Sequence, residues 1–181
     1  TEIYTLSLHD ALPIYLYLER HTISRMKNKQ LKVLGRPRLL IIGCGDVGMR
    51  LIPLLQARFR VFALTSQPER LSELRSAGAI PLLGNLDVPH SLHRLKGLAD
   101  FIVHLAPPPT QGTQDQRTRN LVSILPRHGR LVYVSTTGVY GDCKGAFFDE
   151  TRPVAPINAR AQRRVDAERV LRRWARTHAG R

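Results

Sequence analysis

Between Arg38 and Ser135 the chain alternates short, wholly apolar runs with longer stretches whose apolar residues recur every three or four positions. The runs Arg38–Ile42, Arg60–Leu64, Ala79–Leu83, Asp100–Leu105 and Arg130–Ser135 predict five strands. The amphipathic stretches Asp46–Ala57, Pro68–Ala77, Pro89–Lys96, Gln114–Leu125 and Ile157–Thr177 predict helices between and after them. Strands that are apolar on both faces must be covered on both faces, and regular strand–helix alternation makes the strands parallel. The expected fold is therefore α/β, a Rossmann-like doubly wound parallel sheet. Loops are expected after Pro107–Pro109 and across Gly138–Pro156, where Gly, Asp and Pro cluster.

The first of these strands runs directly into Gly43-Cys44-Gly45-Asp46-Val47-Gly48, a G-x-G-x-x-G sequence that opens the first helix. That context gives the pattern its meaning. Gly43 permits the tight turn, Gly45 lets backbone N–H groups approach a pyrophosphate, and Gly48 lets the helix pack on the sheet. The helix N-terminus favours the anion, and Asp46 is placed to cap it. The bland alternative is a glycine turn that only joins strand to helix. Cys44 reads as a small packing residue, since no basic neighbour in sequence would activate its thiol. About 20 residues on, a dinucleotide fold usually carries a carboxylate for the adenosine ribose. Here the second strand ends Leu64-Thr65-Ser66-Gln67-Pro68-Glu69-Arg70, with no acid at the strand end. Ser66 and Arg70 are placed to meet a 2′-phosphate, which tilts the cofactor choice within NAD(P) toward NADP; otherwise Arg70 is an ordinary solvated helix residue.

Composition narrows the class. The chain has 181 residues, 43% of them hydrophobic, enough for one domain core. No apolar run approaches the roughly 18 residues needed to span a bilayer, so no membrane partner is expected. Two cysteines, Cys44 and Cys143, are too few for a disulfide scaffold and make the cytoplasm the expected location. The formal net charge of +14 raises nucleic-acid binding. Against that, 23 of the 28 basic residues are Arg, as a GC-rich genome would give, and no nucleic-acid motif is present, so no nucleic-acid partner is expected.

The two ends read differently. Residues 1–14, TEIYTLSLHDALPI, match the translation of a common short-read sequencing adapter, and residues 15–25 read as the read-through that follows it. Residues 1–25 are therefore expected to be a non-native leader, with Met26 as a plausible natural start and residues 26–181 as an NAD(P)-binding domain.

Further along, Leu131–Asp142, LVYVSTTGVYGD, resembles the strand-to-loop signature of extended and atypical short-chain dehydrogenases/reductases, the NAD-dependent epimerase/dehydratase family. Gly84-Asn85-Leu86-Asp87 looks like that family's adenine-lining segment, and His104-Leu105-Ala106 like the stretch beside its cofactor. The matches run in order from Leu39 to about Trp174. The resemblance implies dinucleotide contacts from Thr65, Asn85, Leu86, His104 and Ala106, and a substrate-polarising hydroxyl at Thr136. It also implies a catalytic Tyr-x-x-x-Lys on the final helix, where this chain has Arg160 and Arg164. A guanidinium cannot replace a phenol as a proton shuttle. Arg164 could replace the lysine's contacts to the nicotinamide ribose and Arg160 could bind an anionic substrate, or both belong to a solvated basic face. The resemblance further implies a sixth strand and a substrate-binding part beyond Arg181, so the domain is expected to be incomplete and to lack its last strands. Two functions compete: the cofactor-binding half of an oxidoreductase or nucleotide-sugar epimerase/dehydratase acting on an unknown small molecule, and a catalytically silent dinucleotide sensor.

Overall fold

The computed structural model describes residues 5–7, 35–126 and 129–178. Most of the expected leader, with Met26, lies outside the described residues. Six strands form one parallel sheet: β1 (Thr5–Ser7), β2 (Arg38–Ile42), β3 (Arg60–Thr65), β4 (Ile80–Leu83), β5 (Phe101–His104) and β6 (Arg130–Ser135), in the order β1-β6-β5-β2-β3-β4. The helices are α1 (Asp46–Leu55), α2 (Leu71–Ser76), α3 (Gln116–Val122) and α4 (Ala159–His178). This is the doubly wound parallel arrangement, with the direction of strand addition reversing between β5 and β2. The three residues of β1 pair with Tyr133–Ser135 and occupy the edge position beside β6.

The pleat explains both layers. Successive side chains of β2 point to opposite faces, so Leu40 and Ile42 enter one core while Leu39 and Ile41 enter the other. The first core includes Leu92, Leu95, Leu121, Leu171 and Trp174; the second includes Ile52 of α1 and Leu74 of α2. At about 25 cal/mol per Å² of apolar area removed from water, such two-sided burial is the main force holding the sheet.

Two expectations about elements need correction. Pro89–Lys96 is not an α-helix: Pro89–Leu95 forms a 3-10 helix. Its buried leucines, Leu92 and Leu95, are three apart, the period of that helix, and Gly97 with φ +68° follows its end. Pro68–Arg70 likewise forms a 3-10 turn ahead of α2.

Candidate functional site

The loops after β2 and β5 meet at the point where strand addition reverses, the usual ligand position in open α/β sheets. Gly43 has φ +79°, and a Cβ there would lie 2.5 Å from the Ala106 backbone. Ala106 is thus the wall against which the glycine loop closes, and no larger residue fits at Gly43. Gly48 is equally tight, since a Cβ would meet Cys44 Sγ at 2.8 Å and Ile41 Cγ2 at 3.4 Å. At Gly45 the situation reverses: a Cβ there would meet nothing within 4 Å. Gly45 is the N-cap of α1 and receives no side-chain cap, so the helix opens with uncapped N–H groups beside free space. A phosphate fits this cradle chemically.

Asp46 does not cap α1, contrary to expectation. It is the first helical residue, one position too late, and its carboxylate accepts a hydrogen bond from Arg50 Nε at 3.0 Å instead. Val47, the next helical residue, is exposed. Cys44 is 2% exposed, and burial pushes its thiol up to about 11, as expected of a packing residue rather than a nucleophile.

On the adenosine side, Thr65 is buried and its Oγ1 accepts from the Gln67 N–H at 3.1 Å, while Ser66 is exposed. Arg70 donates from Nη1 to the Cys44 carbonyl at 2.6 Å and from Nε to Glu73 at 2.9 Å. It is not simply solvated: it braces the glycine loop against α2. Asn85 is half-buried and shapes its own turn, with Oδ1 accepting from the Asp87 N–H. Leu86 is buried, and its carbonyl accepts from Asn120 Nδ2 at 2.7 Å. Sequence reasoning missed the clamp beside them: Arg117 holds Asp87 through two bonds of 2.8 and 2.6 Å and also donates to the Pro107 carbonyl. This joins the loop after β4 to the loop after β5.

His104 was expected beside the cofactor, but its ring is 1% exposed and turned into the core against Tyr133, centroid to centroid 5.1 Å. Thr118 Oγ1 donates to Asp115 Oδ2 and therefore accepts from His104 Nε2 at 3.0 Å. That direction assigns the imidazole proton to Nε2, and among the described residues buried Nδ1 has no hydrogen-bond partner. Burial first, then the charge of Arg164, lowers its pKa to about 3, so it is neutral.

Thr136 follows β6 directly, is partly exposed, and its hydroxyl makes no hydrogen bond among the described residues. Arg160 is exposed in the first turn of α4. Arg164, one turn further, is 6% exposed, and its Nη1 donates to Tyr133 Oη and to the Val134 carbonyl, each at 2.9 Å. The expected contact with a nicotinamide ribose is thus replaced by a core contact that fixes α4 to β6. Neighbouring Arg163, also buried, donates to the Gly112 carbonyl in the loop after β5. Ser135 and Glu168 complete the seam with a buried bond of 2.6 Å.

Comparison with known proteins agrees with this fold. No curated protein matches the chain in sequence. Among solved structures, a conserved protein of unknown function from Silicibacter pomeroyi DSS is 28% identical, with a TM-score of 0.59 over 75% of this chain and 47% of that one. A UDP-galactose 4-epimerase is 21% identical, with a TM-score of 0.67 over 80% and 53%. The UDP-glucuronic acid 4-epimerase from Bacillus cereus in complex with NAD is 18% identical, with a TM-score of 0.64 over 78% and 53%. The chain spans about half the length of these structures. A family model described as NAD(P)H-binding matches residues 43–176, from the first glycine of the loop to the last turns of α4, and the chain therefore belongs to the NAD(P)H-binding family.

Proposed function

We propose that residues 26–181 are the cofactor-binding half of an NAD(P)-dependent oxidoreductase or nucleotide-sugar epimerase/dehydratase-like protein, acting in the cytoplasm on a small molecule. The observation that carries this reading is the contrast within the glycine loop: Gly43 and Gly48 are jammed against protein, whereas Gly45 faces open space at the positive end of α1. Nicotinamide, when bound, supplies hydride transfer. The chain's own residues bind and orient. Gly43, Cys44, Gly45, Asp46, Val47 and Gly48 form the pyrophosphate cradle; Thr65, Ser66 and Arg70 flank the adenosine ribose, and Asn85 and Leu86 the adenine. Ala106 shapes the wall of the cradle, and His104 supports that strand end from inside. The missing carboxylate at the end of β3 favours NADP over NAD. Thr136 offers an unbonded hydroxyl to a substrate oxygen.

One observation favours the second reading, a silent sensor. Arg164 is engaged by Tyr133 and Val134, and a guanidinium side chain at position 160 does not replace the family's phenol as a proton shuttle. A sensor would bind cofactor yet show no hydride transfer at all.

Gly45→Val tests the dinucleotide reading. Gly45 has φ −82°, which any residue adopts, so the variant should keep its melting temperature. Its affinity for NADH and NADPH should fall at least about tenfold, or ~1.4 kcal/mol. Unchanged affinity would remove the proposal.

A further inference from the structure

A cleft of about 500 Å³ opens where β3 and β4 end, lined by Ser66, Pro68, Asn85, His90, His93 and Arg94 among others. The ladder brings its walls together: Thr65 pairs with Leu83, and the Gly84 N–H donates to the Thr65 carbonyl at 2.9 Å. The 3-10 helix Pro89–Leu95 forms one side. Its Leu92 and Leu95 are buried in the core, which leaves His90, His93 and Arg94 on the exposed side. None of these three side chains has an ion pair or hydrogen bond among the described residues, and no carboxylate lines the cleft. The other cations nearby are already engaged, Arg70 by Cys44 and Glu73, and Arg117 by Asp87.

We infer that this cleft is a phosphate subsite for the adenosine end of the cofactor, in which Arg94, assisted by His90, His93 and the Ser66 hydroxyl, selects a 2′-phosphorylated dinucleotide. The inference rests on the dinucleotide reading above. Ser66 follows the strand end at which a dinucleotide fold meets the ribose 2′ position, and the cleft begins there. An unpaired guanidinium and two imidazoles in a cleft without acids suit a dianion and give no advantage to a 2′-hydroxyl. The cation that distinguishes the two cofactors thus comes from the segment after β4: Arg94 meets the 2′-phosphate, while Arg70, which already has two partners, flanks the ribose.

The test is titration of the full chain with NADPH and NADH, for wild type and Arg94→Glu, with His90→Gln/His93→Gln as a second variant. All three side chains are exposed and unbonded, so folding should be unaffected, and melting temperatures check this. Wild type should prefer NADPH at least tenfold. Arg94→Glu should bring the two affinities to within about twofold by weakening NADPH alone, and the histidine pair should reduce the preference in part. Arg58→Glu, an equal charge change at an exposed site before β3, should leave the ratio unchanged. If NADH binds and Gly45→Val abolishes it, yet wild type shows no NADPH preference or Arg94→Glu leaves that preference intact, the subsite is overturned and the dinucleotide reading stands. Binding of neither cofactor overturns both.

Discussion

Replacing Arg164 with Met separates a core role from a cofactor role at the position where the family's lysine would stand. The structure gives its guanidinium two bonds at 2.9 Å, to Tyr133 Oη and the Val134 carbonyl, in a site 6% exposed. Hydrogen bonds to charged groups contribute about 1.5–3 kcal/mol each, and Met replaces much of the aliphatic stem. Against this stands relief of a buried cation whose Nε is unpaired and which has no ion-pair partner among the described residues. The net expectation is a loss of about 2–4 kcal/mol, read by urea denaturation as a lower midpoint with unchanged slope. Tyr133 supplies a second readout. Burial already pushes its phenol up to about 12, with Arg164 acting in the opposite direction, so the variant should ionise at still higher pH. A stability change below about 0.5 kcal/mol together with a clear loss of NADH affinity would refute the placement, because it would put the guanidinium on the cofactor.

Gly48→Val should cost about 1–3 kcal/mol in the same assay, because its Cβ would meet Cys44 Sγ at 2.8 Å within a packed face. Stability should fall as pH drops below about 6.5 and keep falling toward about 3: unfolded His104 takes up a proton there while the buried imidazole refuses it, giving a slope of up to about 1.4 kcal/mol per pH unit that His104→Gln should flatten. Starting the chain at Met26 should cost less than about 2 kcal/mol, since among the described residues the leader contributes the three-residue edge pairing of Thr5–Ser7; a larger loss would show that the leader is integral to the fold.

The five strands between Arg38 and Ser135 were legible to within a residue or two because their runs are apolar on both faces, and the glycine loop was legible because its spacing encodes a local turn. What escaped was either a shift of one residue or a contact across the chain. Asp46 and Gly45 can each begin a helix, and only the backbone decides that the glycine takes the cap. The 3-10 helix at Pro89 was hidden because a short amphipathic stretch carries no signal separating a period of three from one of 3.6. His104 and Arg164 look alike in sequence, polar residues at expected contact points, yet their partners lie 14 and 31 residues away.

That seam between α4 and β6 bears on which function the fold can support. The resemblance places the family's proton-transferring Tyr-x-x-x-Lys on α4; here that helix turns Arg163 and Arg164 inward, onto Gly112 and onto Tyr133 and Val134. These bonds tie α4 to the loop after β5, whose Ala106 walls the cradle, and to the end of β6, which Thr136 follows. These two arginines therefore hold the helix against the sheet. Any proton donor must then come from outside this seam: half-buried Tyr140, packed edge-on against Phe148 and raised above the usual phenol range by burial, is poorly suited to give up a proton at neutral pH. On the proposed reading, catalysis by these residues would rest on hydride positioning and the Thr136 hydroxyl, and binding on the glycine-loop cradle.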